Sequence, residues 1–239
     1  DARDQEGLSP PFTATYCGLP EVVKPLLKQE SVDINAVLNR GSSTEVYTLL
    51  LIAAEEDEVE IVQLPLEGPA PDVGVQDHAY STALHHSVGF GREEVVLALL
   101  ADRRLNVNIL NLLGGTALHA AAQCDSEGTV KAMLEDDRFN VNHRKQEGDP
   151  PLHLAANMGH GRVVQMLLEG KRVDPEIEGD NGDRPLHYAA RYGHRNVAGA
   201  LLDDARINLN SVGGYYKTPL HYAVIGDSSS VIPLLLANQ

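Results

Sequence analysis

The chain contains no tryptophan, and only 5% of its 239 residues are aromatic. A β-sandwich or barrel built on aromatic and β-branched cross-strand pairs is poorly supplied by such a composition. The hydrophobic 43% must make a core from Leu, Val, Ala and Ile, which suits tightly packed helices. Cysteine is nearly absent: Cys17 and Cys124 lie far apart, which excludes a disulfide framework and a four-ligand zinc site. A reducing intracellular compartment, the cytoplasm, fits that usage. Basic residues are also scarce, 19 against 34 acidic, for a formal net charge of −15. Such a surface repels phosphate backbones and anionic headgroups, so neither nucleic acid nor a membrane surface is expected as a partner. A basic protein segment is the electrostatic complement. No run of 18 apolar residues and no basic-then-apolar leader occurs, so no membrane span or secretion signal is expected.

What the chain does have is repetition. Thr82-Ala-Leu-His-His-Ser87 returns as Thr116-Ala-Leu-His-Ala-Ala121, Pro150-Pro-Leu-His-Leu-Ala155, Arg184-Pro-Leu-His-Tyr-Ala189 and Thr218-Pro-Leu-His-Tyr-Ala223. The histidines His85, His119, His153, His187 and His221 follow one another at 34 residues. Two degenerate copies, Thr48-Leu-Leu-Leu-Ile-Ala53 and Ser9-Pro-Pro-Phe-Thr-Ala14, extend the array toward the N-terminus, with an insertion between them.

Each unit reads as a helix pair. Thr82, Thr116 and Thr218 stand where an N-cap hydroxyl is wanted, and Pro10, Pro151, Pro185 and Pro219 follow at the first helical position. A short helix stops at Gly18, Gly91, Gly159 or Gly193. A second helix carries apolar pairs four residues apart, such as Val95-Val96 with Leu99-Leu100, which lays one stripe along one face. An Asn-X-Asn step (Asn106/Asn108, Asn140/Asn142, Asn208/Asn210) then leads into the next cap. A lone pair of this size cannot bury its stripe, so neighbours must stack.

The Thr-Pro-Leu-His-X-Ala string, the Gly-His step at Gly159-His160 and Gly193-His194, and the Val-Val-X-X-Leu-Leu helix resemble ankyrin repeats over essentially the whole chain. The resemblance implies an all-α solenoid of seven stacked helix-turn-helix units forming a single domain, 1–239. The approximate repeats are 4–42, 43–76, 77–110, 111–144, 145–178, 179–212 and 213–239. Strand content is expected to be near zero.

Repeats one, two and seven depart from the pattern. Pro25, Pro65 and Pro233 each fall within an expected second helix, where an interior proline costs about 3 kcal/mol. The helix carrying Pro65 is expected to be short or bent, and Asp57 stands in its repeat's glycine slot. The insertion near Asn39-Arg-Gly-Ser-Ser43 reads as a longer, mobile loop.

Ten histidines invite a metal or catalytic reading, but seven are placed by the repeat and expected to serve caps and contacts between units; His78, His86 and His143 stand isolated. No phosphate loop and no Gly-X-Ser-X-Gly elbow occurs. The expectation is a non-catalytic scaffold with no cofactor or metal. The alternatives are a small-molecule or enzymatic pocket near the irregular first repeats, and an architectural array within a larger protein.

The resemblance implies that a partner is gripped by the turn tips and the exposed ends of the first helices. On this chain those positions place Tyr16, Tyr47, Glu55, Glu56, Phe90, Glu147, Asp149, Asp180, Asp183, Arg191 and Tyr192 on the partner-binding stripe. Aromatic anchors among acids suit a partner presenting Lys or Arg with apolar side chains.

Overall fold

The computed structural model describes residues 8–29, 32–39, 46–66, 72–146 and 148–238. The chain forms two compact units, residues 1–112 and 113–239. The N-terminal unit carries α1 (Pro10–Tyr16), α2 (Pro20–Leu27), β1 (Leu38–Asn39), β2 (Val46–Tyr47), α3 (Leu49–Glu55), α4 (Val59–Leu66), α5 (Ala83–Gly89) and α6 (Glu93–Ala101). The C-terminal unit carries α7 (Ala117–Gln123), α8 (Glu127–Glu135), α9 (Pro151–Met158), α10 (Gly161–Glu169), α11 (Pro185–Arg191), α12 (Arg195–Leu202), α13 (Pro219–Ile225) and α14 (Ile232–Ala237).

Within each unit the helices form two layers. First helices pack on first helices (α1 on α3 on α5; α7 on α9 on α11 on α13) and second helices on second (α2 on α4 on α6; α8 on α10 on α12 on α14). The core lies between the layers. It is closed by Val95, Val96 and Leu99 of α6, Val163, Val164 and Leu167 of α10, and Val197, Ala198 and Leu201 of α12, all buried.

The local signals act as the residues dictate. Thr82 and Thr116 hold extended backbone before the helices that begin one residue later, and Pro151, Pro185 and Pro219 open theirs. The stop slot is left-handed in all seven repeats: Gly18, Gly91, Gly159 and Gly193 at φ 60° to 82°, and Asp57, Asp125 and Asp227 at φ 66°, 55° and 50°. The seven positions are one slot of the repeat, so all seven first helices end on a residue with positive φ. Aspartate enters this region more readily than most residues because its short side chain bonds locally.

The prolines divide. Pro25 is interior to α2, which continues to Leu27. Helix α4 runs on to Leu66 and is one residue shorter than the nine-residue α6. Pro233, expected inside a helix, instead lies in the first turn of α14, because that helix begins only at Ile232. A missing N–H leaves nothing unpaired there. The flanks of the insertion pair as a two-residue antiparallel ladder, Leu38 opposite Tyr47 and Asn39 opposite Val46. The insertion itself, 40–45, lies outside the described residues.

The periodic histidines are struts between repeats. In the C-terminal unit, Nε2–H of His119, His153 and His187 donates to the carbonyl of His143, Asp183 and Ser211, at 3.0, 3.2 and 3.1 Å. Nδ1 is then the acceptor, and the cap residue supplies its donors. At His119 these are the Thr116 N–H at 3.1 Å and the Thr116 hydroxyl at 2.9 Å. His85 and His221 receive the same pair from Thr82 and Thr218. Repeat five breaks the rule: Pro150 has neither N–H nor hydroxyl, and Nδ1 of fully buried His153 has no partner. Restoring threonine with Pro150→Thr is expected to stabilise the chain by about 1 kcal/mol in urea unfolding. Satisfying a buried acceptor outweighs the lost stiffness of proline in the unfolded chain.

A second row was not foreseen. Arg104, Arg172 and Arg206 each donate from Nη2 to a carbonyl near the end of the preceding repeat's second helix, Leu66, Leu134 and Leu168, at 2.7, 2.7 and 2.9 Å. These are the carbonyls a helix leaves unpaired, at its negative end. Arg104 and Arg206 are held in place by Asp102 and Asp204 two residues earlier, each at 2.6 Å.

Candidate functional site

In the N-terminal unit, Tyr47, Glu55 and Phe90 converge on a residue that looked isolated in the sequence. His86 lies on α5 one position after the periodic histidine. Its Nδ1 is 2.9 Å from Glu55 Oε1, at the end of α3, and its Nε2 is 2.8 Å from Asp77 Oδ2. A neutral imidazole has one N–H and can serve only one carboxylate; the imidazolium serves both. Burial alone would lower the pKa of His86, but the hydrogen bonds and charges of Glu55 and Asp77 together raise it above the usual value. Asp77 is itself fixed by the Ala79 and Ser81 N–H groups on its other oxygen. Phe90, 56% exposed, stacks on the imidazole with ring centroids 6.2 Å apart.

These groups wall a pocket of about 130 Å³ lined by Val46, Tyr47, Leu51, Glu55, Asp77, His78 and His86. The β1–β2 ladder brings Tyr47 to its rim. Ligand clefts for small molecules usually reach about 300–1,000 Å³, so the volume suits the end of one long side chain better than a substrate. Glu56, next along the chain, is exposed, and Tyr16 is half-buried at the end of α1.

In the C-terminal unit the expected acids have different fates. Asp149 accepts the Tyr188 hydroxyl at 3.0 Å and the Asp180 N–H at 2.9 Å. Asp183, only 8% exposed, accepts the Tyr222 hydroxyl at 2.9 Å and the Gly214 N–H at 2.8 Å. Burial, with the neighbouring carboxylates, pushes the Tyr188 phenol well above its usual range and Tyr222 up to about 12. Both tyrosines therefore stay protonated and donate inward. Asp180 is exposed; Glu147 lies outside the described residues. Arg191 and Tyr192 are exposed at the end of α11, with the guanidinium 5.6 Å from the Tyr192 ring centre. Residues 86, 188 and 222 occupy one slot of the repeat, and at each of them the side chain meets an acid.

The turn before α13 is strained. Sister turns place Gly114, Gly148 and Gly182 at φ 70°, 92° and 77°; the same slot holds Tyr216 at φ 58° and Tyr80 at φ 55°. Tyr215, at φ 56°, stands where repeat six has Asn181. Left-handed backbone costs a side-chain-bearing residue roughly 1–2 kcal/mol. Among the described residues, no three His, Cys, Asp or Glu side chains converge as metal ligands, and no helix is long and apolar enough to cross a membrane.

The sequence profile for ankyrin repeats (three copies) matches residues 50–145, 129–212 and 172–239. The chain belongs to the ankyrin-repeat family. Its fold is similar to the crystal structure of the ankyrin repeat domain of Bcl-3, described as a unique member of the IkappaB protein family. The TM-score is 0.83 at 22% identity, over 97% of this chain and 100% of that one. It is also similar to EF0377, an ankyrin repeat protein, with a TM-score of 0.72 at 24% identity over 80% and 96% of the two chains. No curated protein sequence matches. Ankyrin repeats generally mediate protein–protein interaction and are typically non-enzymatic.

Proposed function

We propose that this ankyrin domain is a non-catalytic protein-binding scaffold whose N-terminal unit grips a segment of its partner carrying Lys or Arg beside apolar residues. The observation that carries this reading is the pocket at His86, where two carboxylates line a space sized for one side chain. Exposed Phe90 offers an apolar contact beside it, and Glu56 and Tyr47 extend the surface. Glu55 and Asp77 both face the ring nitrogens of His86, so an incoming cation competes with His86 for the same carboxylates. The expected acidic stripe narrows in the C-terminal unit, because Asp149 and Asp183 bond inward; Asp180, Arg191 and Tyr192 remain available there.

The test is affinity capture followed by binding kinetics with the purified captured protein. Rim charge mainly sets the association rate, so Glu56→Lys is expected to slow association at low salt. Phe90→Ala is expected to speed dissociation, at about 1–3 kcal/mol if the ring is a buried anchor in the complex. Equal capture by the wild type and by a variant carrying both Glu56→Lys and Phe90→Ala, at both low and high salt, overturns this site.

A further inference from the structure

Three side chains meet at His86, and as a set they lie outside the code that the repeats share. The slot of His86 holds Ala120, Leu154, Tyr188 and Tyr222 in later units. That of Glu55 holds Gly89, Gln123, Asn157 and Arg191, and that of Asp77 holds Asn111, Lys145, Gly179 and Gly213. No later pair of units carries the triple, so stacking does not require it.

Its geometry fixes how many protons it holds. Nδ1 lies 2.9 Å from a Glu55 oxygen and Nε2 lies 2.8 Å from an Asp77 oxygen. Without a proton on each line, a ring lone pair would face a carboxylate lone pair at that distance. The triple therefore needs two protons, and the imidazole, a stronger base than either carboxylate, holds both. Its net charge is then −1. Losing one proton leaves two carboxylates beside a neutral ring, and one of them without its donor. Asp77 keeps the Ala79 and Ser81 N–H groups on Oδ1. Glu55 has no second cation among the described residues, because Arg92 reaches only its backbone carbonyl, at 3.1 Å, and lies 3.7 Å from Asp57. The acid set free is Glu55, on the wall of the pocket of about 130 Å³.

From this we infer that the pocket is a proton-gated cation site: a Lys or Arg side chain replaces one proton of the His86 triple, so capture of a basic segment strengthens as the pH rises. Capture also releases a proton, because the two linkages are reciprocal. The gate rests on the reading of this pocket as the partner's cation site, and adds its regulation. Other groups around the ring are accounted for. Tyr47 enters from β2, and exposed His78 from the turn before α5. On α5 itself, His85 has its Nδ1 held by the Thr82 hydroxyl and N–H. Arg92, at the head of α6, stays charged throughout. Burial works against a charged ring, and the hydrogen bonds and charges of Glu55 and Asp77 outweigh it. The proton therefore leaves above the ordinary histidine value of about 6.5, while lysine stays charged to about 10.4.

The experiment uses the whole chain and a capped Lys-Leu-Lys-Leu peptide, whose blocked ends leave nothing to titrate in the range. Nitrogen chemical shifts of the free chain should show both ring nitrogens of His86 protonated at pH 6. The peptide should bind at least about fivefold more tightly at pH 8.5 than at pH 6. Calorimetry at pH 7, in buffers of different ionisation enthalpy, should register proton release on binding. His86→Ala installs the residue that repeat four carries in this slot. It should bind equally at both pH values, at or above wild-type affinity, and release no proton. His78→Asn should keep the pH dependence, and Glu55→Gln should weaken binding most at pH 8.5. A His86 ring neutral at pH 6, pH-independent binding by the wild type, or a dependence that survives His86→Ala or vanishes in His78→Asn overturns the gate and leaves the cation pocket standing. No binding at either pH, or binding unmoved by Glu55→Gln, overturns both.

Discussion

Lowering the pH from 7 to 4 is expected to remove about 6 kcal/mol of stability from the C-terminal unit, through His119 and His153 alone. Both side chains are buried, and burial is the main reason their pKa values fall to about 4. Neighbouring positive groups, His143 beside His119 and Arg144 beside His153, push the same way. The geometry agrees with the direction. Nε2–H already donates to a carbonyl, and at His119 the Thr116 N–H occupies Nδ1, so a second proton would face a donor. The sign follows: unfolded histidines take up protons below about 6.5, and the folded ones do not until about 4. Stability is therefore full above 6.5 and falls as the pH drops to 4, by about 3 kcal/mol for each group.

Other groups modify the slope. His187 is also lowered, chiefly by burial, and Asp204 is lowered by its hydrogen bond to Arg206, so both add to the acid loss. Glu176, raised by burial, acts in the opposite sense. So does His86, whose contribution is full below 6.5 and is lost as the pH rises through its elevated folded value. Domains of this size usually hold about 5–15 kcal/mol in total, so the C-terminal unit should lose its helices near pH 4. Urea unfolding followed by circular dichroism at pH 7, 5.5 and 4 reads the effect, with amide resonances assigning it to the unit. His119→Gln with His153→Gln should flatten the pH dependence whatever it does to absolute stability. A midpoint that stays constant from pH 7 to 4 would show that these two histidines are protonated in the folded chain.

The fold was largely legible in the sequence because ankyrin repeats are specified locally and then copied. A threonine cap, a proline in the first turn and a glycine stop each act within a few residues, and 34-residue spacing turns those signals into a stack. What escaped was interaction across that spacing. Arg104, Arg138, Arg172 and Arg206 are as periodic as the histidines, but the roles of Arg104, Arg172 and Arg206 rest on carbonyls about one repeat back, which no local rule displays. His86 looked isolated because its partners, Glu55 and Asp77, lie 31 and 9 residues away. The orphaned Nδ1 of His153 was readable in principle, since a proline in the cap slot removes both donors at once. Least legible was the direction of an acid. Asp180 and Asp183 are three residues apart with the same chemistry, yet one meets solvent and the other is buried.

That difference can be measured. Asp183→Ala is expected to destabilise the chain by about 3 kcal/mol. Both the Tyr222 hydroxyl and the Gly214 N–H now donate to a carboxylate, at 2.9 and 2.8 Å; its loss strands the buried N–H and leaves the hydroxyl only the long bond to the Gly214 carbonyl at 3.4 Å. Hydrogen bonds to a charged acceptor are worth more than neutral ones, and an unpaired buried donor carries its full desolvation cost. The close approach of Gly213 shows how tightly the site is built, because a Cβ there would collide with Asp183 Oδ1 and the His187 ring. Asp183→Asn keeps an acceptor for one donor and should lose roughly half as much. Tyr222→Phe combined with each substitution isolates the pair in a double-mutant cycle. Asp180→Ala is the control: the side chain is exposed and its hydrogen bonds among the described residues go only to the neighbouring Asn181, while its backbone bonds survive the substitution, so the urea midpoint should change by no more than about 0.5 kcal/mol. The alternative is that Asp183 meets a partner rather than the fold. In that case Asp183→Ala leaves the midpoint unmoved and weakens capture instead, and the carboxylate belongs to the binding surface after all.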